Sequence, residues 1–345
     1  MEPPTLADVL DAQRLLAAHL PPTPTWNYPA LDATAGATVF VKHENAQPTG
    51  AFKVRGGITL LSRLDPVVRR RGVVGYSTGN HAQSLAYAAQ LFGVPCTIVM
   101  PEHPNPAKAD AVRRLGAELV EHGATFDDAA PHARALADER GMRLVSAANE
   151  PDIIAGVATA YAELFAQQPH LDAVVVPVGS GSGAAAACLV AAALAPGCEV
   201  IAMQAADSPA AHDSWRDGEL RQRPNRTAVE GLATGSGFAL PQRVMRERLA
   251  DFVLVDDDQI AAAQWCLMCD AHTLAEGAGA AALAAVLADP DRFAGRRVAV
   301  VCTGGNASEA EIRRSAGLGD AAAGRATVTD VAAARSRADV VGARP

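Results

Sequence analysis

The sequence predicts an α/β protein of two open, twisted parallel-sheet domains with helices on both faces and a cleft between them. Three observations carry that prediction. From residue 73 onward, apolar runs of strand length alternate with amphipathic stretches of helical length. The strand-like runs are continuously apolar, as strands covered on both faces require. Near residue 150, at "ANEPD", the pattern breaks and restarts with a long helix, which divides the 345 residues into portions of ordinary domain size.

Taken in order, "GVVGYS" reads as a strand and "NHAQSLAYAAQLFG" as a helix. "PCTIVMP" is a strand, "NPAKADAVRRLG" a helix, "AELVEHG" a strand and "TFDDAAPHARALADERG" a helix. Then follow "MRLVSA" as strand, "PDIIAGVATAYAELFAQQ" as helix, "DAVVVPVG" as strand and "GAAAACLVAAALA" as helix. A second strand set, "EVIAMQ", "FVLV" and "RRVAVVCTG", completes the βαβ pattern. Gly93, Gly116 and Gly141 close helices, where a residue free to adopt positive φ is favoured. The domain division expected is residues 1–47 with 151–320 as the larger unit and 48–150 as the smaller. Residues 321–345, rich in Ala, Arg and Asp, read as a frayed tail.

Composition narrows the class. Hydrophobic content of 49% with 20% charged residues is that of a soluble globular protein. A net charge of −8 argues against a nucleic-acid partner, which needs a basic surface. The basic run Arg69-Arg70-Arg71 is placed on a solvated helix end. "MEPPTLADVL" has neither the basic start nor the apolar run of a secretory signal, and no stretch is apolar for long enough to span a bilayer. The six cysteines lie in apolar stretches, as reduced, buried thiols of a cytoplasmic protein would. Cys266 and Cys269 have metal-like spacing without a second pair, and are read as core residues of one helix.

Parallel sheets bind ligands at the carboxyl ends of their strands, and three glycine loops fall there. In "VPVGSGSGAAAA", Gly179, Gly181 and Gly183 alternate with Ser180 and Ser182 and lead straight into a helix. Small residues let backbone N–H groups approach an anion and the helix dipole favours it, so a phosphate belongs there. The spacing is not that of a dinucleotide fingerprint, and Gln204 stands where a ribose-binding acid would. "YSTGNHAQ" offers Ser77, Thr78 and Asn80 at a helix start, a nest suited to a carboxylate; His81 reads as a residue packing that helix start. "VCTGGNAS" offers Thr303 and Asn306. Lys53 completes the set, held in "GAFKVRGG" between apolar and glycine neighbours. A phosphorylated cofactor that forms an imine with lysine accounts for all four features, and pyridoxal 5′-phosphate is that cofactor.

"ENAQPTGAFKVRGG", "STGNHAQ", "GSGSG", "AEGAGAAAL" and "CTGGN" resemble, in order and spacing, the fold type II pyridoxal-phosphate enzymes, within them the threonine dehydratase (threonine ammonia-lyase) and serine racemase branch. The likeness runs from about Leu6 to about Gly317. It implies a tryptophan synthase β-like fold with the cofactor between the domains and the phosphate in the larger. Lys53 would hold the cofactor and serve as base, with Phe52 against the ring. Asn80 would bond the ring hydroxyl, Gly179 to Gly183 with Ser180 and Ser182 the phosphate, Thr303 the pyridine nitrogen, and Glu276 would lie near the ring. Ser77, Thr78, Asn80 and His81 would surround the substrate carboxylate.

The implied reaction is loss of water and then ammonia from L-threonine, with L-serine second, by an unregulated homodimer insensitive to isoleucine. A phenylserine or 3-hydroxyaspartate dehydratase and a serine racemase remain open as alternatives. Thr78 argues against racemisation, because its β-branch stiffens and crowds the face where the racemases carry serine. Gln204 and Ala210 stand where the family places acids for a divalent cation, and Asp207 alone is a thin ligand set, so no metal is expected. A nucleotide-binding oxidoreductase and a cofactor-free binding protein are opposed by the glycine spacing and by Lys53 respectively.

Overall fold

The computed structural model describes residues 1–318, so the tail expected over 321–345 lies outside the described residues. Ten strands follow in chain order: β1 (Thr25–Asn27), β2 (Thr38–His43), β3 (Val73–Tyr76), β4 (Cys96–Met100), β5 (Glu118–Glu121), β6 (Arg143–Val145), β7 (Ala173–Pro177), β8 (Glu199–Ala205), β9 (Asp251–Val255) and β10 (Arg297–Cys302). They form a six-stranded sheet, β1-β2-β10-β7-β8-β9, and a four-stranded sheet, β5-β4-β3-β6. Every pairing is parallel except β1 with β2. The sequence reading had no strand before residue 73. The short β1 and the run "TVFVKH" of β2 carry little pattern by themselves, and β2 gains its place by pairing with β10 from the far end of the chain.

The helices are α1 (Leu6–Leu16), α2 (Pro29–Ala35), α3 (Lys53–Ser62), α4 (Pro66–Arg71), α5 (Asn80–Phe92), α6 (Pro106–Arg114), α7 (Phe126–Arg140), α8 (Pro151–Gln167), α9 (Ser182–Leu194), α10 (Ala210–Asp217), α11 (Ala239–Arg248), α12 (Asp257–Asp270), α13 (Gly277–Ala288) and α14 (Pro290–Phe293). They cover both faces of the larger sheet, and the strand period of two sorts the side chains between them. Along β10, Ala299 and Val301 pack with α8 and α9 residues such as Val157 and Ala187, while Val298, Val300 and Cys302 pack with α13 residues such as Ala281. Strands buried on both faces explain the continuous apolar runs.

Local chemistry sets the boundaries. Thr5 caps α1 and Asp256 caps α12 in reciprocal capping boxes. Gly93 and Gly141 end α5 and α7 in left-handed conformation, both with φ of 63°, as their positions predict. The three arginines of the basic run fall in the last turn of α4, where they complement the negative end of the helix dipole.

Two details depart from the sequence reading. Cys269 is exposed and Cys266 only half-buried, because the pair sits on the outer side of α12 rather than in the core. Beneath the site, meanwhile, lies a charged cluster that no motif announced. Arg55 donates from Nε and Nη2 to Glu44 at 2.7 and 2.8 Å, and from Nη1 and Nη2 to Glu163 at 2.7 and 2.8 Å. Lys42 reaches Glu163 at 2.9 Å. The Arg55, Lys42 and Glu44 side chains are at most 1% exposed. Two cations and two anions balance, which is what permits their burial. The cluster ties the first turn of α3 to β2 and to α8.

Candidate active site

The carboxyl ends of β3, β7 and β10 bring the three glycine loops to one cleft. Its lining includes Phe52, Lys53, Ser77, Thr78, Asn80, His81, Gly179, Ser180, Gly181, Ser182, Gly183, Glu276 and Thr303. All the site residues read from sequence therefore meet in one place.

Lys53 opens α3, and the turn before it is stitched to the end of β10. Ala51 bridges Gly304, the Phe52 N–H donates to the Thr303 carbonyl at 3.0 Å, and the Gly305 N–H donates to the Gly50 carbonyl at 2.9 Å. Gly50 has φ of 67° with the Asn306 amide packed against it, so a side chain there would be both strained and obstructed. The lysine Nζ then donates to Ser182 Oγ at 2.6 Å, to Ser180 Oγ at 3.3 Å and to the Ala147 carbonyl at 3.3 Å. It lies 5.0 Å from the centre of the Phe52 ring. Every one of these partners is neutral. Burial therefore pushes the amine down to about 7, with no carboxylate to restore its charge.

The loop facing it is built for an anion. Gly181, with φ of 91°, precedes α9, and no side chain caps that helix. Its first N–H groups are consequently free for a ligand. A Cβ on Gly179 would overlap the Gly231 carbonyl, so only glycine lets the two loops approach this closely. Ser182, 1% exposed, adds a hydroxyl between this cradle and the lysine.

On the opposite wall, the Gly79 N–H donates to Ser77 Oγ at 3.1 Å and Asn80 begins α5. His81 is 4% exposed, and its Nε2 has no hydrogen-bond partner. Burial and the nearby Lys53 push its pKa down to about 3, so the ring stays neutral throughout the working range. The Asn80 amide donates to Glu276 Oε1 and accepts from Asn306 Nδ2 at 2.8 Å. Glu276 precedes α13 and is 3% exposed; burial raises its pKa against the pull of Lys108 and Asn80. Thr303 Oγ1 donates to the Ala278 carbonyl at 3.2 Å.

The sequence reading missed Lys108, Glu230 and the 231–234 segment, all of which line the cleft. Lys108 stands in an ordinary amphipathic helix, and Glu230 in a stretch without periodic pattern. Only their convergence in space marks them. Where the resemblance would place a cation ligand, Gln204 Oε1 accepts from the Ala211 and His212 N–H groups at 3.1 and 3.0 Å. The amide thus does the work of holding the start of α10.

A buried amine hydrogen-bonded to an anion cradle, in a cleft also lined by Phe52, Asn80 and Thr303, fits pyridoxal phosphate. The chain belongs to the pyridoxal-phosphate dependent enzyme family, whose model matches residues 16–304, and its fold is type II. It is 36% identical over 303 residues to the L-threonine ammonia-lyase of Thermotoga maritima, covering 88% of this chain and 75% of that protein. It is 35% identical over 300 residues to the L-threo-3-hydroxyaspartate ammonia-lyase of a Pseudomonas species, covering 87% and 94% respectively. Among solved structures it superposes on maize serine racemase with a TM-score of 0.85 and 28% identity, over 90% of this chain and 96% of the other.

Proposed function

We propose that this enzyme is an ammonia-lyase that converts L-threonine, and secondarily L-serine, to a 2-oxo acid and ammonia by eliminating the β-hydroxyl. The observation that carries this reading is the Lys53 amine, enclosed by neutral partners and 2.6 Å from Ser182 in the anion cradle. Pyridoxal phosphate, when bound, supplies the electron sink for bond breaking at the amino acid's α-carbon.

The chain supplies the rest. Gly179 to Gly183 and the start of α9 hold the phosphate, with the Ser180 and Ser182 hydroxyls as further donors. Phe52 would lie against the ring, Asn80 would face its hydroxyl and Thr303 its nitrogen, with Glu276 hydrogen-bonded to Asn80. Ser77, Thr78, Asn80 and His81 receive the substrate carboxylate. The Lys53 amine, its pKa pushed down to about 7, would carry the cofactor and serve as the base for the substrate's α-proton. Ser182 is within reach to share that proton.

The same reading divides the chain into residues 1–47 with 151–320 and residues 48–150, of which 319 and 320 lie outside the described residues. The cleft then falls between units able to close on substrate. It also includes a cytoplasmic homodimer, supported by six free cysteines and by the prevalence of two-fold assemblies. The test is direct. Purified protein is given L-threonine, L-serine, phenylserine and 3-hydroxyaspartate, and 2-oxo acid and ammonia are measured beside a Lys53→Ala variant. Turnover of threonine above the others, lost in the variant, supports the reading; preference for another amino acid reassigns the substrate; no turnover of any sinks it.

A further inference from the structure

The cleft is lined by two lysines, and Lys53 is committed to the cofactor. The other, Lys108, has a side chain only 6% exposed. It projects from α6, packed beside the four-stranded sheet, and its Nζ meets Glu230 Oε2 at 2.5 Å and Glu276 Oε2 at 3.9 Å. Burial opposes its charge, and the two carboxylates more than offset that, holding the amine above its usual value. It is a permanent cation in a poorly hydrated place.

Its position is specific. A Cβ on Gly79 would lie 3.5 Å from Lys108 Nζ, so the amine abuts the backbone of the carboxylate nest. That nest, Ser77 to His81, offers hydroxyls, an amide and backbone N–H groups, but no charge. In the same wall His81 Nε2 is buried without a partner, a polar atom awaiting a ligand.

The two carboxylates on Lys108 differ in kind. Glu276 is sealed and also holds Asn80, whereas the Glu230 side chain is 40% exposed, on a single 3₁₀ turn, Glu230–Leu232. Solvent can receive Glu230 at little cost, and a buried ammonium requires a replacement anion when it leaves.

We propose that Lys108 is the counter-ion of the substrate's α-carboxylate, and that Glu230 holds its place until an amino acid displaces it. The exchange substitutes one carboxylate for another, so the charge balance of the wall is unchanged. Lys108 thereby selects amino acids by their carboxylate, while the Ser77–His81 nest orients that group. This rests on the lyase reading above.

The test uses holoenzyme and two non-eliminating ligands, L-alanine and L-alaninamide, titrated against the cofactor's visible absorbance. Lys108→Met should weaken L-alanine roughly ten- to hundredfold, the worth of one charge-assisted bond, and leave L-alaninamide nearly unchanged. Lys108→Arg should recover part of the loss. Glu230→Gln removes the competing anion and should tighten L-alanine. An unchanged alanine-to-alaninamide ratio in Lys108→Met overturns the proposal. So does a Glu230→Gln variant that weakens L-alanine, because the pair would then be only a latch across the cleft. If Lys108→Met does not fold, Glu230→Gln decides alone by the same signs. Failure of the lyase reading looks different: wild-type protein that makes no 2-oxo acid from any β-hydroxy amino acid.

Discussion

Replacing Arg55 by Met removes one cation from the cluster beneath the site and keeps most of the side chain's volume. Glu44 and Glu163 then share Lys42 alone, leaving one buried carboxylate uncompensated. Breaking a buried pair from one side costs about 3–5 kcal/mol, which for a chain of this size lowers the melting temperature by roughly 5 °C. The pH dependence gives the mechanism away. In the native protein Glu44 sits below its usual pKa: burial raises it, but Arg55 and Lys42 outweigh that. A depressed carboxylate contributes stability above its unfolded value, lost as pH falls through the folded one. Without Arg55 the sign reverses, because the orphaned carboxylate prefers a proton and destabilises the fold as pH rises. The gap between wild type and Arg55→Met should therefore narrow from pH 8 to pH 5. Thermal melts across that range read it, with Glu163→Gln added to close a double-mutant cycle. A loss under about 1 kcal/mol, or costs that simply add, would refute the argument that the four charges act as one unit.

Four further outcomes follow. With its amine at about 7, Lys53 of the cofactor-free protein should capture pyridoxal phosphate at a rate that climbs up to about pH 7 and then levels; a rate still climbing at pH 9, as an ordinary lysine near pKa 10.4 would give, removes the desolvation argument. The same depression means the cofactor-free protein gains stability as pH rises above about 7, since its unfolded lysine binds the proton more tightly. Gly279→Ala places a Cβ into the Gly304 carbonyl and should cost about 1–3 kcal/mol by overpacking and raise the cofactor dissociation constant; melts and absorbance titrations matching wild type count against it. Because Gln204 stands where a ligating acid would and turns its Oε1 to the Ala211 and His212 N–H groups, a chelator should change neither melting temperature nor turnover, and a loss restored by magnesium or calcium would contradict that assignment.

What could be read from sequence depended on range. The parallel architecture was legible because strands such as "AVVVP" are apolar on both faces, and the cofactor loops because anion cradles need small residues in consecutive positions. The pairing of β2 with β10, the Arg55 cluster and the wall of Lys108, Glu230 and Glu276 were not. Each joins residues more than a hundred positions apart, and no local pattern encodes such contacts. Cys269 was misplaced for a related reason: an alanine-rich helix has too weak a polar face to tell which side meets solvent.

The distribution of charge around Lys53 explains why its neighbours are the residues they are. A carboxylate at hydrogen-bond distance would favour the charged amine and carry its pKa back up, ending its use as nucleophile and base near neutral pH. Two strongly charged groups nevertheless lie close by in the fold: Arg55, two residues along α3, and Glu276 on the facing wall. Each is satisfied away from the lysine, Arg55 by Glu44 and Glu163, and Glu276 by Lys108 and Asn80. What remains around Nζ is two hydroxyls and a carbonyl. Ser182 therefore tolerates alanine or glycine far better than aspartate: the former remove one hydroxyl, whereas aspartate would both repel the phosphate and hold the lysine charged. Measured as cofactor affinity, alanine and glycine both above aspartate by a wide margin follows from electrostatics alone, and an aspartate variant that binds the cofactor normally would mean that Lys53 is governed by something other than its neutral surroundings.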